Sequence, residues 1–259
     1  MLVGRSCRAT TAGGCVVAML LSPLAADAGA PFRTDDPEPV EFQHYELYLF
    51  SMGMVAGNGT SGFLPALEFN YGLIPEGQFH IQTPIAFSTT EGGPTRFGYG
   101  DTELGFKYRF IQEDKNSSLP QVGTYPLLQL PTGDEAAGLG AGHVRAFLPI
   151  WLQKTFGDWK TYGGGGFWIN DAIATKDQDY WFFGWAVERK ITDKLRLGGE
   201  IFHHTADKIG GRDSTGLNVG VLYDLNEHNH LLFSAGRGIQ NGSETNRFSW
   251  YIAYQITGP

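Results

Sequence analysis

The chain has 259 residues, of which 27 are acidic and 19 basic, and its formal net charge is −8. A chain this acidic argues against nucleic acid as a partner, because phosphate binding depends on clustered lysine and arginine. The 36 glycines and 18 phenylalanines, with no apolar run long enough for a membrane helix, indicate one large all-β domain.

The first 28 residues are predicted to be a secretory signal peptide. Arg5 and Arg8 form a short basic region, residues 15–21 form an apolar core, and residues 26–28 (Ala-Asp-Ala) form a small-x-small cleavage site. The apolar core is well short of the roughly 20 residues that a spanning helix needs. We therefore expect export from the cytoplasm and a mature chain that begins near residue 29.

No cofactor or metal site is expected in the mature chain. Both cysteines, Cys7 and Cys15, lie in the predicted leader, which excludes disulfides and thiolate chemistry. The seven histidines are scattered without the spacing of metal ligands, although His80, Glu200 and His204 could be combined on paper.

The mature chain divides into two parts. Residues 29–40 are rich in proline and aspartate and are predicted to be an irregular periplasmic lead-in. Residues 41–259 contain the repeated strand patterns and are predicted to form a single domain.

Strands are recognised by alternation of apolar and polar side chains. In one stretch, Leu104, Phe106 and Tyr108 alternate with Glu103 and Lys107, which gives one apolar and one strongly charged face. Runs of this kind are mostly near ten residues long, the length of a tilted membrane-spanning strand. Twelve are predicted, at residues 41–51, 62–71, 78–88, 100–111, 121–130, 144–154, 160–170, 179–189, 195–205, 214–224, 230–237 and 247–257.

The second face of these strands decides between a soluble sandwich and a membrane barrel. It is rich in Gly, Ser, Asn, Gln and His, which suits a crowded polar lumen better than bulk water. Short and longer connections also alternate along the chain, as in outer-membrane barrels. Residues 52–61 form one of the longer connections. The connection at 111–120 is an exception, because it is long where a short periplasmic turn is expected. We therefore predict a closed antiparallel transmembrane β-barrel of about twelve strands with both termini in the periplasm.

Four prolines fall inside the predicted strands: Pro65, Pro84, Pro126 and Pro149. Proline cannot donate to a strand ladder, so bulges or breaks are expected there. If there are many, the number of strands could differ by two.

Several short motifs resemble a known family. They are residues 97–101 (Phe-Gly-Tyr-Gly-Asp) continuing into 104–109, residues 130–134 (Leu-Pro-Thr-Gly-Asp), 191–194, and 225–228 followed by 234–237. With them the mature chain resembles the MetA-pathway of phenol degradation family of outer-membrane transporters. That resemblance implies a barrel and a transport role, and leaves the substrate open. The chain departs from typical outer-membrane barrels in ending on Thr-Gly-Pro, where the assembly machinery usually reads a terminal aromatic residue.

Charged side chains on the polar face are the main candidates for function, because a charge on the lipid face costs up to about 2–4 kcal/mol. They could line a mixed-charge channel, or they could pair with one another and fill a narrow lumen. The predicted lumen-lining residues are Glu68, His80, Asp101, Glu103, Lys107, Arg109, Arg145, Arg196, Glu200, His204, Asn218 and Arg247.

The sequence thus predicts a bacterial outer-membrane channel for passive passage of small solutes, aromatic or other hydrophobic compounds among them. Its expected partners are outer-membrane lipid, the solute and the outer-membrane assembly machinery. One alternative is a structural barrel with a plugged lumen. Another is a lipid hydrolase that uses His203 and Thr205, whose spacing imitates a His-x-Ser pair; we expect no catalysis, because threonine is a poor substitute and no matching acid is evident.

Overall fold

The computed structural model describes residues 30–114, 118–170 and 177–259, so the predicted signal peptide lies outside the described residues. In these ranges no helix is long and apolar enough to cross a membrane. The elements are β1 (Tyr45–Ala56), β2 (Gly59–Ile74), β3 (Gly77–Thr90), β4 (Thr95–Tyr99), β5 (Thr102–Ile111), β6 (Gln121–Thr124), β7 (Leu127–Leu130), β8 (Arg145–Phe156), β9 (Trp159–Asn170), β10 (Tyr180–Thr192), β11 (Leu195–His204), β12 (Ser214–Asn226), β13 (Asn229–Gln240), α1 (Gly242–Thr245) and β14 (Phe248–Gly258).

The fourteen segments of the described chain form twelve barrel strands. Consecutive segments β4 and β5 both pair with β3, and β6 and β7 both pair with β5 and β8, so each couple acts as one interrupted strand. Every pairing is antiparallel, and β1 pairs with β14 from Tyr45↔Gly258 to Val55↔Phe248, which closes the sheet. The predicted closed antiparallel barrel of twelve strands is confirmed.

The prolines inside strands interrupt the ladder at three of four places. Pro65 and Pro84 border a register shift between β2 and β3, and Pro126 separates β6 from β7. Pro149 instead keeps β8 in register with β9, opposite Gly166. Glycine leaves room at that pair, so the missing donor of proline is tolerated without a bulge.

The two ends of the barrel differ in their connections. We call the end where β1 begins and β14 finishes the terminal end, and the opposite one the loop end. At the terminal end residues 75–76, 157–158, 193–194 and 227–228 form two-residue turns. The prediction of a long connection at residues 52–61 is wrong. Strands β1 and β2 both extend into this range, and only residues 57–58 form the turn between them.

Side chains alternate between the two faces of the wall. On β10, Trp181, Phe183 and Trp185 are exposed outside, whereas Phe182 and Ala186 are buried inside. The outer surface is a broad apolar band, and a closed wall of this kind leaves no edge of unpaired backbone groups in hydrocarbon. Most buried polar and charged side chains lie on the inner face, among them Glu46, Asn70, Gln78, His80, Lys107, Gln121, Gln153, Glu188, Glu200, Asn218 and Gln255.

Candidate functional site

The lumen is occupied by the segment that precedes β1. We call residues 30–40 the plug segment. The Val40 amide near the terminal end donates to Gln78 Oε1 (2.9 Å), and the Pro31 carbonyl accepts from Ser234 Oγ in mid-barrel (2.6 Å). Thr34 and Asp36 have no exposed surface. The segment contains no helix or strand and lies inside the barrel, where the inner wall supplies partners for its polar groups.

Two lysines of the wall hold the acidic part of the plug segment. Lys107 Nζ lies 2.8 Å from Asp35 Oδ1 and 3.5 Å from Asp36 Oδ1, and Lys160 Nζ lies 2.8 Å from Asp36 Oδ2. Burial alone raises the pKa of Asp36, but the ammonium groups of Lys160 and Lys107 outweigh burial and hold that pKa below the ordinary value. Asp36 is therefore ionised at neutral pH, and its negative charge offsets the buried positive charges of Lys107 and Lys160.

Glu38 extends this network towards the terminal end. Its carboxylate lies 3.6 Å from Arg109 Nη1 and accepts a hydrogen bond from Gln153 Nε2 (2.9 Å). Arg109 also donates from Nε to Glu76 Oε2 (2.5 Å). The plug segment and the β2–β3 turn thus share one guanidinium group.

Glu200 binds the main chain of the plug segment. Its carboxylate accepts hydrogen bonds from the Arg33 amide (2.9 Å), the Thr34 amide (2.9 Å), the Thr34 hydroxyl (2.7 Å) and Asn218 Nδ2 (2.6 Å). Hydrogen bonds to a charged acceptor contribute about 1.5–3 kcal/mol each when they replace water. Four donors thus satisfy the carboxylate oxygens of a side chain that is only 3% exposed.

Glycines on the inner wall make room for the same part of the plug segment. A Cβ at Gly184 would collide with the Thr34 side chain, and a Cβ at Gly198 or Gly220 would come within about 3 Å of the Phe32 ring. The wall is therefore shaped to receive residues 32–34, as well as charged to bind residues 35–38.

A second polar cluster lies on neighbouring strands β2, β3 and β5. His80 Nδ1 lies 2.9 Å from Asn70 Oδ1 and 3.5 Å from Glu68, while Nε2 lies 3.4 Å from Glu103. The Tyr125 ring meets the imidazole edge-on at 5.6 Å. These side chains pair with one another and with the wall, which leaves them little freedom to line an open pore.

The other predicted lumen residues described next contact different parts of the barrel. Asp101 accepts from the amides of Gly133 (3.0 Å) and Ala141 (2.7 Å) and so anchors the loop at 131–144. Arg196 lies 3.6 Å from Asp224 at the terminal end. Further contacts of the inward set are His204 Nδ1 with the Thr205 carbonyl and Asn218 with Glu200 and Ser249.

Arg247 lies at the loop end, directly before β14 begins at Phe248. It is exposed, its Nε donates to the Ser243 carbonyl (2.8 Å), and its amide donates to the Val55 carbonyl of β1 (2.7 Å). Its place in the lumen lining stays a prediction.

The lumen nearer the loop end has an aromatic lining. We call this region the aromatic chamber, with Phe147, Trp151, Trp168, Tyr180, Phe182 and Phe202 as its walls. Phe147 stacks on Trp168 at 4.9 Å and meets Phe182 edge-on at 6.3 Å. Two arginines lie against these rings: the Arg33 guanidinium is 4.6 Å from the Phe202 centroid, and that of Arg145 is 4.8 Å from the Trp168 centroid. Phe147, Trp151, Phe182 and Phe202 are buried and pack in one hydrophobic cluster. Arg33 is exposed, so water reaches its guanidinium beside these rings.

Sequence reasoning missed the residues that matter most for closing the lumen: Asp35, Asp36, Glu38 and Lys160. The acidic stretch 35–38 was visible, and Lys160 begins a predicted strand. Nothing local connects them, however, because Asp36 and Lys160 are separated by 124 positions. Among the described residues, no group of three or more His, Asp or Glu side chains is placed to hold a metal ion.

The fold is similar to that of several solved channels and porins. The COG4313 outer membrane channel from Pseudomonas putida F1 has 15% identity and a TM-score of 0.70, with 86% of this chain and 98% of that chain covered. The NanC porin has 10% identity and a TM-score of 0.55, covering 82% and 99%. The KdgM porin in complex with disordered oligogalacturonate has 9% identity and a TM-score of 0.51, covering 81% and 98%.

A closed barrel of this fold with an apolar outer band belongs in the bacterial outer membrane. At sequence level, the profile of the family described as MetA-pathway of phenol degradation matches residues 57–254, more than half of the chain. The chain therefore belongs to the MetA-pathway of phenol degradation family.

Proposed function

We propose that this protein is an outer-membrane channel for small solutes whose lumen is closed by its own plug segment. The observation that carries the proposal is the division of the lumen. The terminal half holds the plug segment through ion pairs, and the loop-end half is an aromatic chamber with a water-exposed arginine, Arg33.

The plug segment is bound in a way that suits release. Its hydrogen bonds to the wall in the described chain run to wall side chains such as Glu200, Gln78 and Ser234, and none of them belongs to a strand ladder. Withdrawing the segment would therefore leave the barrel wall paired. The lysines and carboxylates it leaves behind can be hydrated, as in the polar lumen of a channel.

The chamber supports aromatic or other hydrophobic solutes as cargo. Its rings offer apolar area and stacking surfaces, with aromatic pairs contributing about 0.5–1.5 kcal/mol beyond burial. We place both termini in the periplasm, so that the plug segment enters from that side and the chamber faces outward. The shorter turns at the terminal end and the pairing of Tyr45 with Gly258 support this orientation. We also propose insertion by the outer-membrane assembly machinery, which would read β14 as the closing strand.

A structural barrel with a permanently plugged lumen is the second candidate, and the saturated pairs around Lys107 favour it. The two candidates differ in one respect: a channel can use the exposed guanidinium of Arg33 to contact a solute, whereas a purely structural barrel does not need it.

The hydrolase hypothesis is not favoured. His203 Nδ1 lies 2.9 Å from Thr215 Oγ1, on the outer face, and not near Thr205. Thr215 donates to Gln240 Oε1 (2.6 Å), so its proton is directed away from the imidazole that would have to accept it. We infer that the protein is not an enzyme.

Single-channel conductance in planar bilayers tests the proposal. We would compare the wild type with a plug-weakened double variant, Asp36→Asn with Glu38→Gln, and with the control Asp193→Asn in an exposed turn. We expect rare or small steps from the wild type and the control, and frequent steps from the double variant. Arg109→Ala and Glu103→Ala should shift ion selectivity of those steps. A folded double variant that never conducts would leave the structural barrel as the better explanation.

A further inference from the structure

We propose that the aromatic chamber is a binding site for small aromatic carboxylates, with Arg33 and Arg145 as the groups that recognise the anion. This inference rests on the proposed function and names a substrate class for it. The first observation is the unusual state of the two arginines: among the described residues, neither takes part in an ion pair with a carboxylate.

Arg145 is held in place without being neutralised. Its Nε donates to Asn170 Oδ1 (2.6 Å), Nη1 to Gln129 Oε1 (3.2 Å) and Nη2 to the Tyr180 hydroxyl (3.0 Å). All three acceptors are neutral, so the guanidinium keeps its full positive charge. Its face also lies over the Trp168 ring, which fixes its plane.

Arg33 is presented to the chamber by the plug segment. Its main-chain amide is bound by Glu200, while the side chain extends over the rings of Phe202 (4.6 Å) and Phe182 (5.8 Å). Glu200 is already occupied by four donors and does not pair with this guanidinium. An exposed arginine lying on aromatic faces inside a barrel is positioned to meet a solute.

The two guanidinium groups border neighbouring inward residues of one strand. They lie beside successive inward residues of β10, Arg33 near Phe182 and Arg145 near Tyr180, and both are within electrostatic reach of the Tyr180 hydroxyl. Because a planar guanidinium matches a carboxylate with two parallel hydrogen bonds, this pair favours a carboxylate over a neutral hydroxyl. Neighbouring rings would stack on the aromatic part of the same molecule.

Two acidic groups lie near the chamber. Asp179 accepts from the Asn170 amide (2.8 Å), and Asp207 is near Tyr180 and His204. These carboxylates repel an anion, so the arginines are the groups that would attract it. We expect the carboxylate to lie between Arg33 and Arg145.

Equilibrium binding to the folded, detergent-solubilised full mature chain tests this inference. The probes are benzoate and benzyl alcohol, which have similar size and differ in charge, read by quenching of tryptophan fluorescence. We expect benzoate to bind at least about tenfold more tightly than benzyl alcohol. Arg33→Gln and Arg145→Gln should each weaken benzoate binding by about tenfold and change benzyl alcohol binding by less than about twofold.

The matched control is Arg212→Gln, at the same end but in an exposed pair with Glu244, which should leave both affinities unchanged. Arg145→Lys guards against a folding defect, because it keeps the charge and should restore part of the benzoate affinity. Equal affinity for the two probes would overturn the proposal, as would equal losses for both probes in the glutamine variants, no recovery in Arg145→Lys, or a similar loss in Arg212→Gln.

This experiment measures binding and not transport, so its result can contradict the binding site without contradicting the channel. Benzoate preference in a protein that never conducts would support the site and contradict the channel. Conductance without benzoate preference would support the channel and contradict the site.

Discussion

The two halves of the lumen differ in how their charged side chains are paired. In the terminal half the charges of the wall meet charges of the plug segment: Lys107 and Lys160 share Asp36, and Arg109 meets Glu38. In the loop-end half Arg33 and Arg145 lie on aromatic rings and neutral acceptors. In the described chain the lumen is thus closed by ion pairs at one level, whereas at the other level two arginines have no carboxylate partner. We propose that a solute binds at this second level.

Among the variants proposed here, Asp36→Ala is expected to have the largest effect on retention of the plug segment. It removes the carboxylate that Lys107 and Lys160 share. Loss of one partner from a buried pair costs up to about 3–5 kcal/mol, and the cost is smaller here because Asp35 stays 2.8 Å from Lys107 Nζ. We expect the plug segment to leave the lumen, which exposes the Arg33–Thr34 bond to trypsin.

Cleavage at this bond in folded barrels, followed by mass spectrometry, measures release directly. The control is Asp193→Ala, whose carboxylate is 95% exposed in its pair with Lys190. Equal cleavage rates in wild type and Asp36→Ala would show that the lysine pairs do not retain the plug segment.

Glu200→Gln is expected to have the next largest effect. The amide keeps one acceptor oxygen but directs an NH₂ group at donors on Arg33, Thr34 and Asn218, and an unsatisfied buried donor costs about 1–3 kcal/mol. Trypsin should cut at Arg33 faster than in the wild type and more slowly than in Asp36→Ala. Cleavage at the wild-type rate would contradict the role of Glu200 in holding the main chain.

Gly184→Val tests the shape of the inner wall instead of its charge. The new side chain would collide with Thr34, and overpacking of this kind costs about 1–3 kcal/mol. We expect partial release of the plug segment. Because Thr34→Gly also removes the hydroxyl bond to Glu200, it is compared as a single variant, and the double variant Gly184→Val with Thr34→Gly should release less than the two single effects added together. Gly199→Ala is the control, because its Cβ would meet only the Asn218 carbonyl at 3.4 Å. Strictly additive effects would contradict the steric explanation.

Thr215→Val is expected to have the smallest effect. It removes the outer-face contacts with His203 and Gln240, and a net hydrogen bond contributes about 0.5–1.5 kcal/mol. The melting temperature should fall slightly, and cleavage at Arg33 should not change. Phospholipid hydrolysis should be absent from wild type and variant alike; activity in the wild type that disappears in Thr215→Val would revive the hydrolase hypothesis.

Much of the wall could be predicted from local patterns. Alternation of Leu104, Phe106 and Tyr108 with charged residues predicted a strand and its two faces, and twelve such runs predicted the closed barrel that is observed. The β1–β2 connection was misjudged because glycine and threonine there resembled a loop, whereas pairing with neighbouring strands extends both β1 and β2 almost to the turn at residues 57–58.

The contents of the lumen could be predicted only in part. His80, Lys107 and Glu200 were predicted to face inward because parity along a strand assigns a face. Their partners could not be identified, since Thr34 and Glu200 are 166 positions apart. Arg247 was predicted inward by the same parity, although it directly precedes the first residue of β14, where strand parity no longer assigns a face.

By itself the sequence determined the period of two, the apolar outer face and the polar inner face, because these depend on neighbouring residues and on the solvent each face meets. Only the tertiary structure decided that residues 30–40 fill the lumen, that Asp36 is the carboxylate shared by two lysines, and that in the described part of the chain neither Arg33 nor Arg145 has a carboxylate partner. The physical reason is that charge pairing depends on distance in space, and closure of the barrel brings together groups that the chain keeps far apart.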